Sequence, residues 1–136
     1  MAGMIPLLDT NVLIRFLTFD KDKKYKNLYT FFDSLERGEI QVELKLIVLF
    51  QVTFVLKSFY KVPREQIADG LKDVLKYKGI RIKEKKIVQR TLEIWRQKQA
   101  DIVDCYLIAC LEKDPRNLLY SYDRDFDKFN VNREEP

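Results

Sequence analysis

Met4-Ile5-Pro6-Leu7-Leu8-Asp9-Thr10-Asn11-Val12-Leu13-Ile14-Arg15-Phe16-Leu17 is the stretch that decides the fold. Met4 to Leu8 is a short apolar run and predicts a buried strand. Asp9-Thr10-Asn11 then supplies helix-start chemistry, and Val12, Leu13, Phe16 and Leu17 recur at helical spacing. Strand, turn and helix in that order open an α/β chain. A carboxylate at the edge of a buried element must be solvated, paired or bound to a cation, because an isolated buried charge is costly or protonates. Asp9 is therefore the first candidate for chemistry.

The pattern continues outward from this opening. Asp20 and Asp22 precede a predicted helix, Lys23 to about Arg37, with Leu28, Phe31, Phe32 and Leu35 on one face and Gly38 as its stop. Ile40 to Glu43 reads as a second strand. Lys45 to Tyr60 reads as a helix apolar nearly all round, hence largely buried. Pro63 starts the next, with Ile67, Leu71, Val74 and Leu75 on one side and Gly79 beyond its end. Ile80 to Ile82 is a third strand, Glu84 to about Gln97 a helix through Ile87, Val88, Leu92 and Trp95, and Asp101 begins a helix that stops near Pro115. Leu118 to Ser121 is a fourth strand, followed by an acidic loop with Phe126 and Phe129. Short apolar strands alternating with amphipathic helices predict a three-layer α/β/α sandwich around a short parallel sheet, with residues 1–136 as one domain. Ligands collect at the carboxyl ends of strands in such sheets, where Asp9 and Asp123 fall.

Composition narrows the chemistry. The 136 residues contain no histidine, which removes Ser-His-Asp and Cys-His pairs and every histidine metal ligand or general base. Cys105 and Cys110, five apart in a helical pattern, point in different directions and read as small core residues rather than a disulfide or a zinc pair. No apolar run reaches the roughly 18 residues of a membrane span, and the N-terminus lacks a basic secretory start, so the expected location is the cytoplasm. The net charge of +4 is unevenly spread: Lys57 to Lys98 holds 13 Lys or Arg against five Asp or Glu, and the remainder 12 against 16. A basic middle beside an acidic pocket would form a track for a polyanion; the alternative is an ordinary solvated lysine surface.

Asp101 and Asp104 stand three apart on one helical face, and Asp123 follows Leu118-Leu119-Tyr120. Asp101 also suits a plain N-cap, whereas Asp104 inside the first turn gains only a modest dipole benefit. With Leu7-Leu8-Asp9-Thr10-Asn11-Val12-Leu13-Ile14-Arg15-Phe16 at the start, Asp101-Ile102-Val103-Asp104-Cys105-Tyr106-Leu107-Ile108 in the last third and Leu118-Leu119-Tyr120-Ser121-Tyr122-Asp123-Arg124-Asp125 near the end, the chain resembles the PIN domain family, and most of all its VapC-type toxins. The middle stretch Val48 to Ile67 carries further landmarks in the same order.

The resemblance implies a compact α/β/α domain whose acidic cluster holds Mg²⁺ or Mn²⁺ and hydrolyses RNA, often as a homodimer through the apolar faces of the N-terminal helices, held in check by an antitoxin protein. It matches the family's first, third and fourth acidic positions to Asp9, Asp104 and Asp123, and its following small polar residues to Thr10 and Asn11. Asp101 and Asp125 flank matched positions and would serve as further ligands or water holders. Where relatives carry a glutamate in the long central helix, this chain has Gln51, and no Asp or Glu lies between Lys45 and Tyr60. Gln51 offers a carbonyl oxygen but no charge; the alternative is a buried, hydrogen-bonded amide. Glu43, about 12 Å away along a helix, is a poor substitute.

Smaller expectations attach to other residues. Thr10, Asn11 and Ser121 suit water or phosphate positioning, and Arg15, one helical turn beyond Asn11, suits RNA. Arg124, between two aspartates, would neutralise the cluster. Tyr60, Tyr77 and Trp95, among basic residues, read as core sooner than as base-stacking surfaces. Beside the ribonuclease stand two alternatives: a catalytically weakened PIN domain that binds RNA or protein, marked by Gln51, and a receiver-like or phosphatase-like acidic pocket, for which no lysine switch or nucleophile motif is present.

Overall fold

A computed structural model describes residues 4–136, which divide after Lys85 into two compact units. In the first, Asp9 precedes α1 (Thr10–Leu17), and Asp22 caps a 3-10 turn at Lys23–Tyr25 before α2 (Leu28–Arg37). The predicted helix from Lys23 is thus split, because that turn and Asn27 intervene before regular α-helix begins. Gly38 ends α2 in the left-handed region, φ 78°, as its position foretold. Then follow β1 (Val42–Glu43), α3 (Leu46–Ser58), α4 (Arg64–Leu75) and β2 (Ile80–Arg81).

The strands are parallel, as the alternating pattern predicts, but very short. Val42 pairs with Ile80 and Glu43 with Arg81, while Leu7 joins the other side of β1 through a single bridge to Glu43. The expected buried strand at Met4 to Leu8 is reduced to that bridge: Leu8 is buried, whereas Met4, Ile5 and Leu7 are exposed. Pro6, lacking an N–H, contributes only its carbonyl, which accepts from the Glu43 amide at 2.8 Å. α1 packs on α2 and α3, and α3 on α4. Phe16 stacks on Phe32 with ring centres 3.9 Å apart, and Leu13, Leu35, Leu49, Leu71 and Leu75 are fully buried.

α3 corrects a second expectation. Leu49, Val52, Thr53 and Leu56 are buried, but Ile47 is 76% and Phe54 57% exposed. Its all-round apolar composition therefore reflects one core face and one bare face, not full burial.

The second unit holds all but the first residue of α5 (Lys85–Gln97), then α6 (Ile102–Leu111), β3 (Leu118–Tyr120), a 3-10 turn at Arg124–Lys128 and β4 (Asn132–Glu134). β3 and β4 pair in parallel, Leu118 with Asn132 through Tyr120 with Glu134. β4 had no periodic signal; side chains place it. Asn132 donates through Nδ2 to the carbonyls of Pro115 at 2.8 Å and Asn117 at 3.2 Å, and Arg133 forks onto both Asp127 oxygens. Arg90 of α5 reaches Glu112 just past α6 at 2.9 Å. Trp95 is 3% exposed and Cys105 is buried, so both are core residues as read; Cys110 is half-buried and the two cysteines form no disulfide. Among the described residues no helix is long and apolar enough to cross a membrane.

Two glycines test the packing with opposite signs. Gly79 donates to the Leu35 carbonyl at 2.8 Å and accepts from the Val42 amide at 2.9 Å. A Cβ there would overlap the Ile40 carbonyl oxygen and lie 2.9 Å from that of Leu35. Gly70, inside α4, faces only the Leu17 side chain at 3.5 Å. Gly79→Ala is expected to lower the unfolding free energy by about 2 to 4 kcal/mol, and Gly70→Ala to raise it by up to about 1 kcal/mol. Urea denaturation of both variants checks the pair, and equal shifts would refute the assignment.

Candidate functional site

Carboxylates gather at the amino end of α6. Asp101 occupies the capping position, φ −63° and ψ 150°, and Asp104 the first turn. Asp is favoured at a cap because its side-chain oxygen accepts an otherwise orphaned amide of the first turn. Asp101 makes no such bond. Asp22 and Asp123 do, accepting from the amides of Lys24 at 3.1 Å and Asp125 at 2.9 Å. A capping role therefore does not account for Asp101.

The acidic loop after β3 is fixed by successive turns. The Ser121 amide donates to the Glu134 carbonyl at 3.0 Å, and its hydroxyl accepts from the Asp123 amide at 3.0 Å. Asp123 then accepts from Asp125. Ser121 thus orders the backbone that carries both aspartates.

Asp101, Asp104 and Asp125 line a cavity of roughly 420 Å³ together with Lys98, Lys128 and Phe129. Burial pushes the Asp104 carboxyl above the usual aspartate range, and the negative charges of Asp101, Asp123 and Asp125 push it further the same way. Lys128 approaches Asp125 at 3.6 Å. Arg124, expected to neutralise the cluster, instead helps to hold the Asp127 carboxyl below its usual range, behind the larger effect of the Arg133 hydrogen bond.

The donors suit a hard cation, being oxygen throughout. Among the described residues, however, no three Asp, Glu or Cys side chains lie close enough together to hold an ion as placed. One or two carboxylates with water completing the shell is the usual arrangement for Mg²⁺, so the donor set at α6 fits that cation with few protein ligands.

In the first unit Asp9 is exposed at the start of α1 and, like Asp101, makes no side-chain capping bond. Thr10 is half-buried and Asn11 exposed in the first turn. Arg15 is already engaged: its guanidinium donates to Asp20 at 2.8 Å and lies 4.9 Å from the Tyr25 ring centre. Gln51 is exposed, which overturns the buried-amide alternative, and α3 contains no acid. Glu43 is paired with Lys45 at 2.9 Å. Tyr77 is half-buried, whereas Tyr60 is 45% exposed, contrary to a core position.

Lys98, Lys128 and Phe129 on the cavity wall escaped sequence reasoning. Lys98 closes the basic stretch and Phe129 follows the acidic loop, but neither position carried a motif.

The sequence matches the family model of the PIN domain over residues 7–132, a span running through both units. A VapC ribonuclease from Aquifex aeolicus (strain VF5) is 23% identical over 130 residues, which cover 96% of each chain.

The raised Asp104 carboxyl has a consequence for stability. Folded, it holds its proton to higher pH than unfolded, so stability falls as pH rises from the ordinary aspartate value through the folded one. Asp104→Asn is expected to raise the thermal midpoint at neutral pH and to leave it nearly unchanged in acid, where both states of the wild type are protonated. Melting curves at the two pH values decide; a variant less stable at neutral pH would reject the repulsion.

Proposed function

The chain belongs to the PIN domain family, with its three-layer α/β/α fold, and from that premise we propose that it is a metal-dependent endoribonuclease, the toxin of a toxin–antitoxin pair. The observation that carries the reading is Asp104, which lines the acidic cavity and whose carboxyl is raised first by burial and then by three neighbouring aspartates. A carboxylate in a cleft that is shifted by burial and by neighbouring like charge is a candidate for a functional role. The VapC ribonuclease relative supplies the substrate class and, by extension, the antitoxin partner.

In this reading Asp104 and Asp123, with Asp101 beside them, hold Mg²⁺ or Mn²⁺, and Asp9 completes the acidic set on the strength of the family pattern. When bound, the ion supplies a water of lowered pKa and neutralises charge building on the phosphoryl oxygens. The protein's own share begins with Asp104, which gives up any proton it holds to become a ligand. Ser121 keeps Asp123 in place through the amide it accepts. Thr10 and Asn11, exposed or half-exposed at the start of α1, position water or phosphate. Arg15 would have to leave Asp20 to reach RNA. The single domain of residues 1–136, cytoplasmic location and homodimer belong to the same proposal.

Gln51 favours a second reading, a catalytically weakened PIN domain that binds RNA or protein. Exposed on an α3 free of carboxylates, it brings an oxygen without charge. Purified protein is expected to cleave single-stranded RNA with Mn²⁺ or Mg²⁺, and Asp9→Asn or Asp104→Asn to slow cleavage by at least about 100-fold. Unchanged rates in both variants reject the site. Gln51→Glu is expected to tighten Mn²⁺ binding measured by calorimetry; a wild type inert beside an active Gln51→Glu variant selects the second reading.

A further inference from the structure

A second cavity, of roughly 350 Å³, lies against the acidic one and shares two wall residues with it, Lys98 and Phe129. Its volume falls at the low end of the range for small-molecule sites, about 300 to 1,000 Å³, which suits one flat group rather than a long ligand. Ile108 and Val131 give it apolar walls, and the side-chain amides of Gln97 and Asn130 add both donors and acceptors. Arg90 also lines it, but its guanidinium is bonded to Glu112 at 2.9 and 3.1 Å and to Glu93 at 3.4 Å. The guanidinium is therefore committed to carboxylates, one of which, Glu112, is itself on the wall, and Lys98 is the other cation of the lining. A heteroaromatic ring matches this lining: apolar walls for its faces, amides for its edge, and the aromatic Phe129 on the wall shared with the acidic cavity.

We propose that this cavity is a nucleobase subsite, holding the base next to the scissile phosphate, with Phe129 stacking on it at the junction of the two cavities and Gln97 and Asn130 reading its edge. The inference deepens the ribonuclease reading and rests on it for the adjacent phosphate. Phe129 and the amides act as positioning residues: they set which base lies beside the acidic cluster, and so give the cleavage a base preference at one flanking position. Stacking on an aromatic ring accepts any base; the amide pair supplies the discrimination.

The test uses the full chain without added metal, titrated with each of the four nucleoside 5′-monophosphates and followed through the side-chain amide resonances of Gln97 and Asn130. Saturable shifts of both amides with at least one nucleotide are expected. Phe129→Leu should weaken that binding about tenfold, and Val131→Trp, which fills the cavity, should abolish it. In RNA cleavage, Phe129→Leu should flatten the base preference at one position. Absence of amide shifts with all four nucleotides, or shifts undiminished in both variants, overturns the subsite. Cleavage retained without nucleotide binding removes the subsite alone. Nucleotide binding in a chain that cleaves no RNA keeps the base site and removes the nuclease reading.

Discussion

Like-charge crowding at the start of α6 is the constraint on which the second unit turns. Asp104 is withdrawn from water, and Asp101, Asp123 and Asp125 are brought within electrostatic reach of it. The helix dipole favours a negative charge there, yet its benefit of about 0.3 to 1 kcal/mol is the smaller influence, because the net effect on Asp104 is upward. Folding therefore works against this arrangement, and a cation at the cavity would relieve it. A surface lysine, Lys128, reaches only Asp125 and at 3.6 Å.

Much of the fold was legible because helices advertise themselves twice, by apolar spacing and by their ends. α1, α4, α5 and α6 each begin one residue after the position that Asp9, Pro63, Glu84 or Asp101 marks; α5 ends at Gln97 as read, whereas α6 ends at Leu111, short of Pro115. Strands of two or three residues carry no comparable period, so their sites were readable but not their extent. Met4 to Leu8 shows the limit: an apolar run predicts burial, and only Leu8 delivers it. β4 was invisible because its pairing depends on Asn132 and Arg133 side chains, which polar composition disguises as loop. α3 failed in the other direction, since apolar composition cannot distinguish two buried faces from one buried and one bare.

The site was legible as chemistry before it was legible as geometry. Absence of histidine and repetition of aspartate at element edges pointed to oxygen ligands and a hard cation. The structure brings Asp101, Asp104, Asp123 and Asp125 together within one unit. Asp9 and Gln51 belong to the other unit, where Asp9 is exposed at a helix start and Gln51 on the bare side of α3. What sequence could not offer were Lys98, Lys128 and Phe129, because wall residues of a cavity are defined by the folded surface and not by spacing.

Capping geometry separates the aspartates that hold the fold from those free for another role. Asp22 and Asp123 spend an oxygen on an amide two residues ahead, and each thereby fixes a 3-10 turn. Asp9 and Asp101 stand at the starts of two α-helices with the same extended backbone and make no such bond. A side-chain cap contributes roughly 0.5 to 2 kcal/mol, so both helices forgo that gain at the residue type best suited to supply it. Asp123 spends one oxygen on ordering its loop. The aspartates at these two helix starts are thus set apart most directly by the hydrogen bonds that they decline to make.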